Sequence, residues 1–142
     1  MSVPLDTPET AQQAFYTAFA KGDMAAMTAV WARGTDTLCV HPTGDALRGE
    51  VAIDHSWAGI LAGGGAGKIE FEALNRFESA NLAVFTGYEH ITPRGSRIAY
   101  PPVLATNIYR YVSGSWQMVS HHASPIMQGR AAPTPEPNRT RH

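Results

Sequence analysis

Cysteine is almost missing from this chain. Cys39 is the one thiol in 142 residues, so no disulfide can form within it. That fits a reducing compartment. An excess of charge is missing too. Eleven Lys and Arg face 12 Asp and Glu, leaving a formal net charge of −1. Such a balance sets up no strong field toward nucleic acid or an anionic membrane, so neither is an expected partner. No stretch approaches the roughly 18 consecutive apolar residues of a membrane helix. The first residues carry neither a basic segment nor an apolar one of the secretory type, and the expectation is a cytoplasmic protein. What is present is a hydrophobic fraction of 44%, ample for one packed core. A chain of this length can bury that core without disulfides or structural metal.

The pattern opens with helices. Thr7-Pro8-Glu9 is a helix start: a capping hydroxyl, a proline suited to the first turn, and an acid at the positive end of the dipole. Ala11, Ala14, Phe15, Ala18 and Phe19 recur at helical spacing, and Gly22 suits a left-handed stop. Asp23 caps a second helix with Met24, Met27, Val30 and Trp31 inside, ended by Gly34. Thr37 to His41 reads as a short strand closed by Pro42 and a Thr43-Gly44-Asp45 turn. Arg48-Gly49 leads into a third helix striped by Ile53, Trp57, Ile60 and Leu61, and the glycine-rich 63–67 segment ends it.

From Lys68 the period becomes two. Ile69, Phe71, Ala73 and Phe77 alternate with Glu70, Glu72 and Arg76. Leu82 to Ile91 is a second long strand. Arg97 to Tyr100 and Val103 to Val112 form a third, broken at Pro101-Pro102, where the ladder donors are missing. Ser113-Gly114 turns into the last strand, Ser115 to Ser124. The layout is α+β: three helices covering one face of a strongly curved, mainly antiparallel sheet, with a cavity at its mouth. Residues 1–127 form the domain. Residues 128–142, rich in proline and arginine, read as a tail.

Several side chains carry possible chemistry, each beside a plainer role. His41 closes a strand at a turn. Its imidazole titrates near neutrality and suits a base or donor in a pocket, or it simply pins the turn. Asn107 stands mid-strand among apolar and aromatic residues, where asparagine is disfavoured. Its amide therefore meets a partner inside, either a ligand or the core itself. His121 and His122 are adjacent on a strand and point to opposite faces. Simple alternation puts His122 with Trp116 and Met118, and His121 with Val119. His41, His55, His90 and His122 lack metal-ligand spacing, so no metal and no cofactor is expected. Cys39 has no neighbouring cation to activate it and reads as a buried apolar residue. The 63–67 glycines follow a helix rather than a strand and do not form a phosphate loop.

Two segments carry a family resemblance. One runs through Gly22-Asp23, Val30-Trp31-Ala32, Val40-His41-Pro42-Thr43-Gly44, Arg48-Gly49 and Ser56-Trp57. The other runs through Thr106-Asn107-Ile108-Tyr109-Arg110, Gly114-Ser115-Trp116 and His121-His122-Ala123-Ser124-Pro125. Together they resemble the NTF2-like superfamily, nearest its SnoaL-like branch. The resemblance implies a cone-shaped fold, a homodimer formed through the sheet, and a pocket for a small molecule. The superfamily hosts isomerases, cyclases and dehydratases as well as non-catalytic association modules.

Against ketosteroid-isomerase-like members, His41 takes the place of the general base and Asn107 that of one oxyanion donor. Phe15 stands where the tyrosine donor would be, with Tyr16 beside it. Phenylalanine cannot donate, which argues against strict ketosteroid isomerisation. The C-terminal part also resembles the association domain of calcium/calmodulin-dependent kinases through Trp116, His122 and Ser124, with Asn107 in place of that domain's pocket arginine. The implied pocket lining is Phe15, Tyr16, Trp57, Tyr109, Trp116 and His122. The functional expectation is a pocket protein for a small, mostly apolar molecule. The alternative is an isomerase, cyclase or lyase with His41 as base and Asn107 as oxyanion donor.

Overall fold

A computed structural model describes residues 4–127. The expected 128–142 tail lies outside the described residues. The first helix, α1 (Pro8–Lys21), begins as its sequence dictates, with the Thr7 hydroxyl accepting from the Thr10 N–H at 3.0 Å. Gly22 ends it at φ 75°, its N–H donating to Ala18 O at 2.9 Å. In α2 (Met24–Val30) the Asp23 carboxylate caps the Ala26 N–H. This helix stops at Val30, short of the expected Gly34. Trp31 is fully buried, turns extended and bridges to Met118, and the Ala32 N–H donates to Met118 O. Burying the indole against the sheet pulls the chain out of the helix early. Helix α3 (Glu50–Leu61) lacks a side-chain cap at Gly49. It is fastened instead by Glu50, which accepts from the Gly34 N–H at 2.8 Å, and by Arg33, which pairs with Glu50 and Asp54.

Six strands form one curved sheet: β1 (Leu38–Val40), β2 (Ala46–Arg48), β3 (Lys68–Glu78), β4 (Leu82–Thr92), β5 (Val103–Val112) and β6 (Ser115–Pro125). Their order is β2-β1-β6-β5-β4-β3, with β1 parallel to β6 and the other pairs antiparallel. The architecture is the expected α+β cone. Two details differ from the pattern reading. Ala46–Arg48 returns along β1 as a short strand rather than a lead-in to the helix. Residues 97–100 are not a strand: Ile98 and Tyr100 are 80% and 58% exposed, and β5 begins only after the two prolines.

Two bulges reset which side chains face the helices. In β3 the register shifts between Ala73 and Asn75, so Phe77 pairs with Val84 on the outer face and is 65% exposed. In β6 the register jumps from Ile108↔Ser120 to Tyr109↔Met118, leaving Val119 as the extra residue. Beyond it the alternation is inverted. His121 is 1% exposed and faces the core, while His122 is exposed on the outside. The expected placement of His122 beside Met118 is therefore corrected. One inserted residue in a period of two exchanges the faces of everything after it.

Aromatic edges fill the space between α1, α3 and the sheet. Phe15 meets Trp57 at 5.5 Å and 84°, and Tyr16 at 4.8 Å and 75°. The turn at Gly22 brings α1 against the 63–67 segment so closely that a Cβ there would stand 2.6 Å from Gly65 N. Gly114, at φ 83°, has nothing near its missing Cβ. Gly114→Ala should therefore cost about 1 kcal/mol of left-handed strain alone. Gly22→Ala should cost roughly 2–4 kcal/mol, because overpacking against backbone is added. Urea unfolding of the two variants checks this; equal losses would show that the α1 contact yields easily.

Candidate functional site

The inner face of the sheet carries a set of polar groups that the core encloses. Glu89 on β4, Asn107 on β5 and His121 on β6 are 2%, 0% and 1% exposed. Tyr16 reaches them from α1. Its hydroxyl donates to Glu89 Oε2 at 2.6 Å and accepts from Asn107 Nδ2 at 2.8 Å. Gln12, one helical turn before Tyr16, accepts through Oε1 from Asn107 Nδ2 at 3.0 Å and from the Tyr109 hydroxyl at 2.6 Å. Asn107 Oδ1 lies 2.6 Å from His121 Nδ1. Both amide hydrogens of Asn107 are committed, so its oxygen must accept, and His121 must carry its proton on Nδ1.

Burial governs the titration of this set. Glu89, ordinarily near 4.5, is pushed up to about 7 by loss of water, against the opposing hydrogen bond from Tyr16. His121, ordinarily near 6.5, is pushed down to about 3, first by burial and then by His41 and His122. The phenols of Tyr16 and Tyr109 are driven well upward, by burial first and then by the negative charge of Glu89. At neutral pH the cluster is one half-titrated carboxyl among neutral donors and acceptors.

His41 stands half-buried at the edge of this cluster, its ring 4.8 Å from Trp57 and 6.2 Å from His121. Burial lowers its pKa. Its Nε2 lies 3.6 Å from the Cys39 sulfur. Cys39 is fully buried and its thiol is pushed up to about 12, so it stays protonated. The Trp57 N–H finds no oxygen or nitrogen acceptor and faces the weakly accepting Cys39 sulfur.

Of the side chains singled out from sequence, Phe15, Tyr16, Trp57, Asn107 and Tyr109 come together with His41 at their edge. Trp116 is buried farther along β6 beside Tyr111, and His122 lies outside. Asn107 spends both of its N–H donors within the protein, so no donor is left over for an oxyanion. Gln12, Glu89 and His121 were missed. A signal for Glu89 was there: it shares parity with Ala83, Phe85 and Gly87, an acid on the apolar face of a strand. Among the described residues, no three His, Cys, Asp or Glu side chains converge as metal ligands would.

A cleft reaches this cluster from outside. It is lined by Gln12, Gln13, Tyr16, Ile69, Glu70 and Phe71, with a volume of about 460 Å³. Phe71 lies tilted against Tyr16, at 5.5 Å and 30°. A second, more apolar groove of about 510 Å³ runs between α1 and α2. It does not include the buried polar side chains.

The family model of the SnoaL-like domain matches residues 9–128. The chain belongs to the SnoaL-like family. A solved structure from Thiobacillus denitrificans, provisionally assigned as a calcium/calmodulin-dependent protein kinase type II association domain, is 34% identical. The match covers 88% of this chain and 99% of that one, with a TM-score of 0.82. A provisionally assigned dehydratase of the NTF2-like family from Streptomyces avermitilis is 28% identical over 87% of this chain and 96% of its own, with a TM-score of 0.72. A ketosteroid isomerase-like protein from Erwinia carotovora atroseptica, 22% identical over 86% and 95% with a TM-score of 0.65, shares the fold. No curated protein matches the sequence. The likeness extends across the SnoaL-like domain, while the relatives' descriptions span assembly and catalysis.

The two shifted groups oppose each other in stability. Glu89 binds its proton more tightly in the folded state. Its contribution is full below pH 4.5 and is lost as pH rises toward about 7, a total of roughly 3 kcal/mol. His121 resists protonation in the folded state. Its contribution is present above pH 6.5 and is lost as pH falls toward about 3. Between pH 4.5 and 6.5 the two slopes cancel. Glu89→Gln should expose the histidine alone, so that stability climbs with pH through that window by about 1.4 kcal/mol per unit relative to wild type. Chemical denaturation at four pH values tests it, and parallel wild-type and variant curves would refute the assignment of Glu89.

Proposed function

We propose that this SnoaL-like protein binds a small, mostly apolar molecule in the cleft between α1 and β3 and works as a homodimer joined through the outer face of its sheet. One observation carries the binding reading: the cleft ends on Gln12 and Tyr16, the outermost members of a buried polar cluster. Keeping a carboxyl in a core costs stability that an apolar residue would not, and such groups concentrate at functional sites. Ile69 and Phe71 supply the apolar wall.

The homodimer is supported by the outer sheet face. Phe77, Leu82 and Leu104 are 65%, 40% and 36% exposed there, beside Val84, Tyr88 and Ile108. The relative described as an association domain points the same way. Native mass spectrometry of gently purified protein should give a dimer carrying a few hundred daltons of retained non-covalent mass. Leu104→Glu should shift it to monomer without unfolding. A wild-type monomer, or a Leu104→Glu dimer of unchanged stability, would exclude assembly through this face.

A second reading is favoured by Glu89, whose pKa of about 7 suits proton transfer at neutral pH, and by the dehydratase relative. In it the protein is a lyase or isomerase, and the proton passes from the cleft through the Tyr16 hydroxyl to Glu89 behind it, rather than to His41. Loss of water from a β-hydroxy ketone, followed by absorbance of the enone, should then fall at least 100-fold in Glu89→Gln and change little in His41→Ala. The reverse order of the two variants would return the base role to His41.

A further inference from the structure

The binding reading leaves the ligand's polar group open, and the orientation of one amide narrows it. Gln12 Oε1 is turned inward, where it accepts from both Asn107 Nδ2 and the Tyr109 hydroxyl. A carboxamide has one oxygen, so its two N–H hydrogens face the other way. Among the described residues nothing accepts from them. Tyr16, the buried polar group of the lining, is fully engaged, and the exposed Gln13 is engaged through one N–H. Tyr16 accepts from Asn107 and donates to Glu89. Gln13 donates through Nε2 to the Thr17 hydroxyl at 3.0 Å. Glu70 is exposed at the rim beside Lys68.

Lys68, a cation beside the cleft, faces Glu70 at the exposed rim, 3.8 Å away. None of its six lining residues is cationic. Glu70 stands at the mouth, and Glu89 stands directly behind the Tyr16 hydroxyl. An anion passing the rim toward Gln12 would leave Lys68 behind and approach the Glu89 carboxyl, with no cation among the lining residues to offset it. A neutral acceptor oxygen meets only the amide donors. From this geometry we infer that the cleft selects an uncharged carbonyl compound, its oxygen held by the Gln12 side-chain amide and its apolar body against Phe71 and Ile69. The inference rests on the binding reading above and adds the chemical class of the ligand and the residue that selects it.

Two probes of nearly equal shape separate the possibilities: methyl 2-naphthyl ketone and 2-naphthoate, titrated against the full chain at pH 7.5 by ligand-observed NMR. The ketone should bind at least 10-fold more tightly than the carboxylate. Gln12→Glu keeps an inward oxygen for Asn107 and Tyr109 but replaces the outward donor with a second oxygen. It should weaken the ketone by roughly 10-fold or more, with the thermal midpoint reporting that the fold persists. Phe71→Ala should weaken both probes and locates them in the cleft. If 2-naphthoate binds as well as the ketone, or Gln12→Glu leaves the ketone unchanged while Phe71→Ala weakens it, the carbonyl inference fails and the binding reading stands. If neither probe binds, or Phe71→Ala affects neither, both fail.

Discussion

A carboxyl group held almost wholly out of water is the constraint on which the rest of this structure turns. Glu89 sits on the apolar face of β4, where every neighbour along the strand is small or hydrophobic. Its burial is tolerable only because Tyr16 donates to it. Tyr16 in turn needs Asn107, and Asn107 needs both Gln12 and His121 to satisfy its amide. Four elements contribute to one chain of hydrogen bonds, so a shift in any of them strands a buried polar group. Networks of this kind fix register and orientation more sharply than apolar packing does.

Two local features aim the network. Helix α1 presents Gln12 and Tyr16 one turn apart, so both reach the same patch of sheet. The bulge at Val119 then inverts β6 and delivers His121, not His122, to Asn107. The burial that makes His121 so weak a base also keeps it neutral, and its contact with the Asn107 oxygen fixes the single ring proton on Nδ1. His41 and Cys39 lie at the side of this arrangement rather than within it. Trp57 meets Phe15, Phe19 and His41 edge-on and lies between α1 and His41.

The relatives help to place this design. Solved structures described as an association domain, a dehydratase and an isomerase-like protein share its fold. Here the sheet has two distinct surfaces. The inner one is closed by helices and carries the polar cluster. The outer one leaves Phe77, Leu82 and Leu104 in contact with water, the surface on which the proposed homodimer rests.

The helix caps at Thr7 and Asp23, the stop at Gly22, the change of period at Lys68 and the four long strands were all legible in the chain, because each depends on residues close in sequence. So was the family, through the His41-Pro42-Thr43-Gly44 turn and the Asn107 and Trp116 segments. The candidate site was legible only in part. Tyr16 and Asn107 could be singled out, but not that they bond to each other, and Glu89 and Gln12 passed unnoticed. Period-two alternation alone placed His122 and Phe77 on the inner face. The bulges at Val119 and Leu74 reversed both, since an extra residue is visible only in the pairing of two strands. The sequence by itself determined the three helices, the capping at Thr7 and Asp23, the long strands and the fold, which follow from short-range propensity and pattern. The tertiary structure alone decided which polar groups meet, which way the Gln12 amide points and what pKa Glu89 takes, because hydrogen bonds across 73 to 97 residues and loss of solvent exist only once the chain has closed.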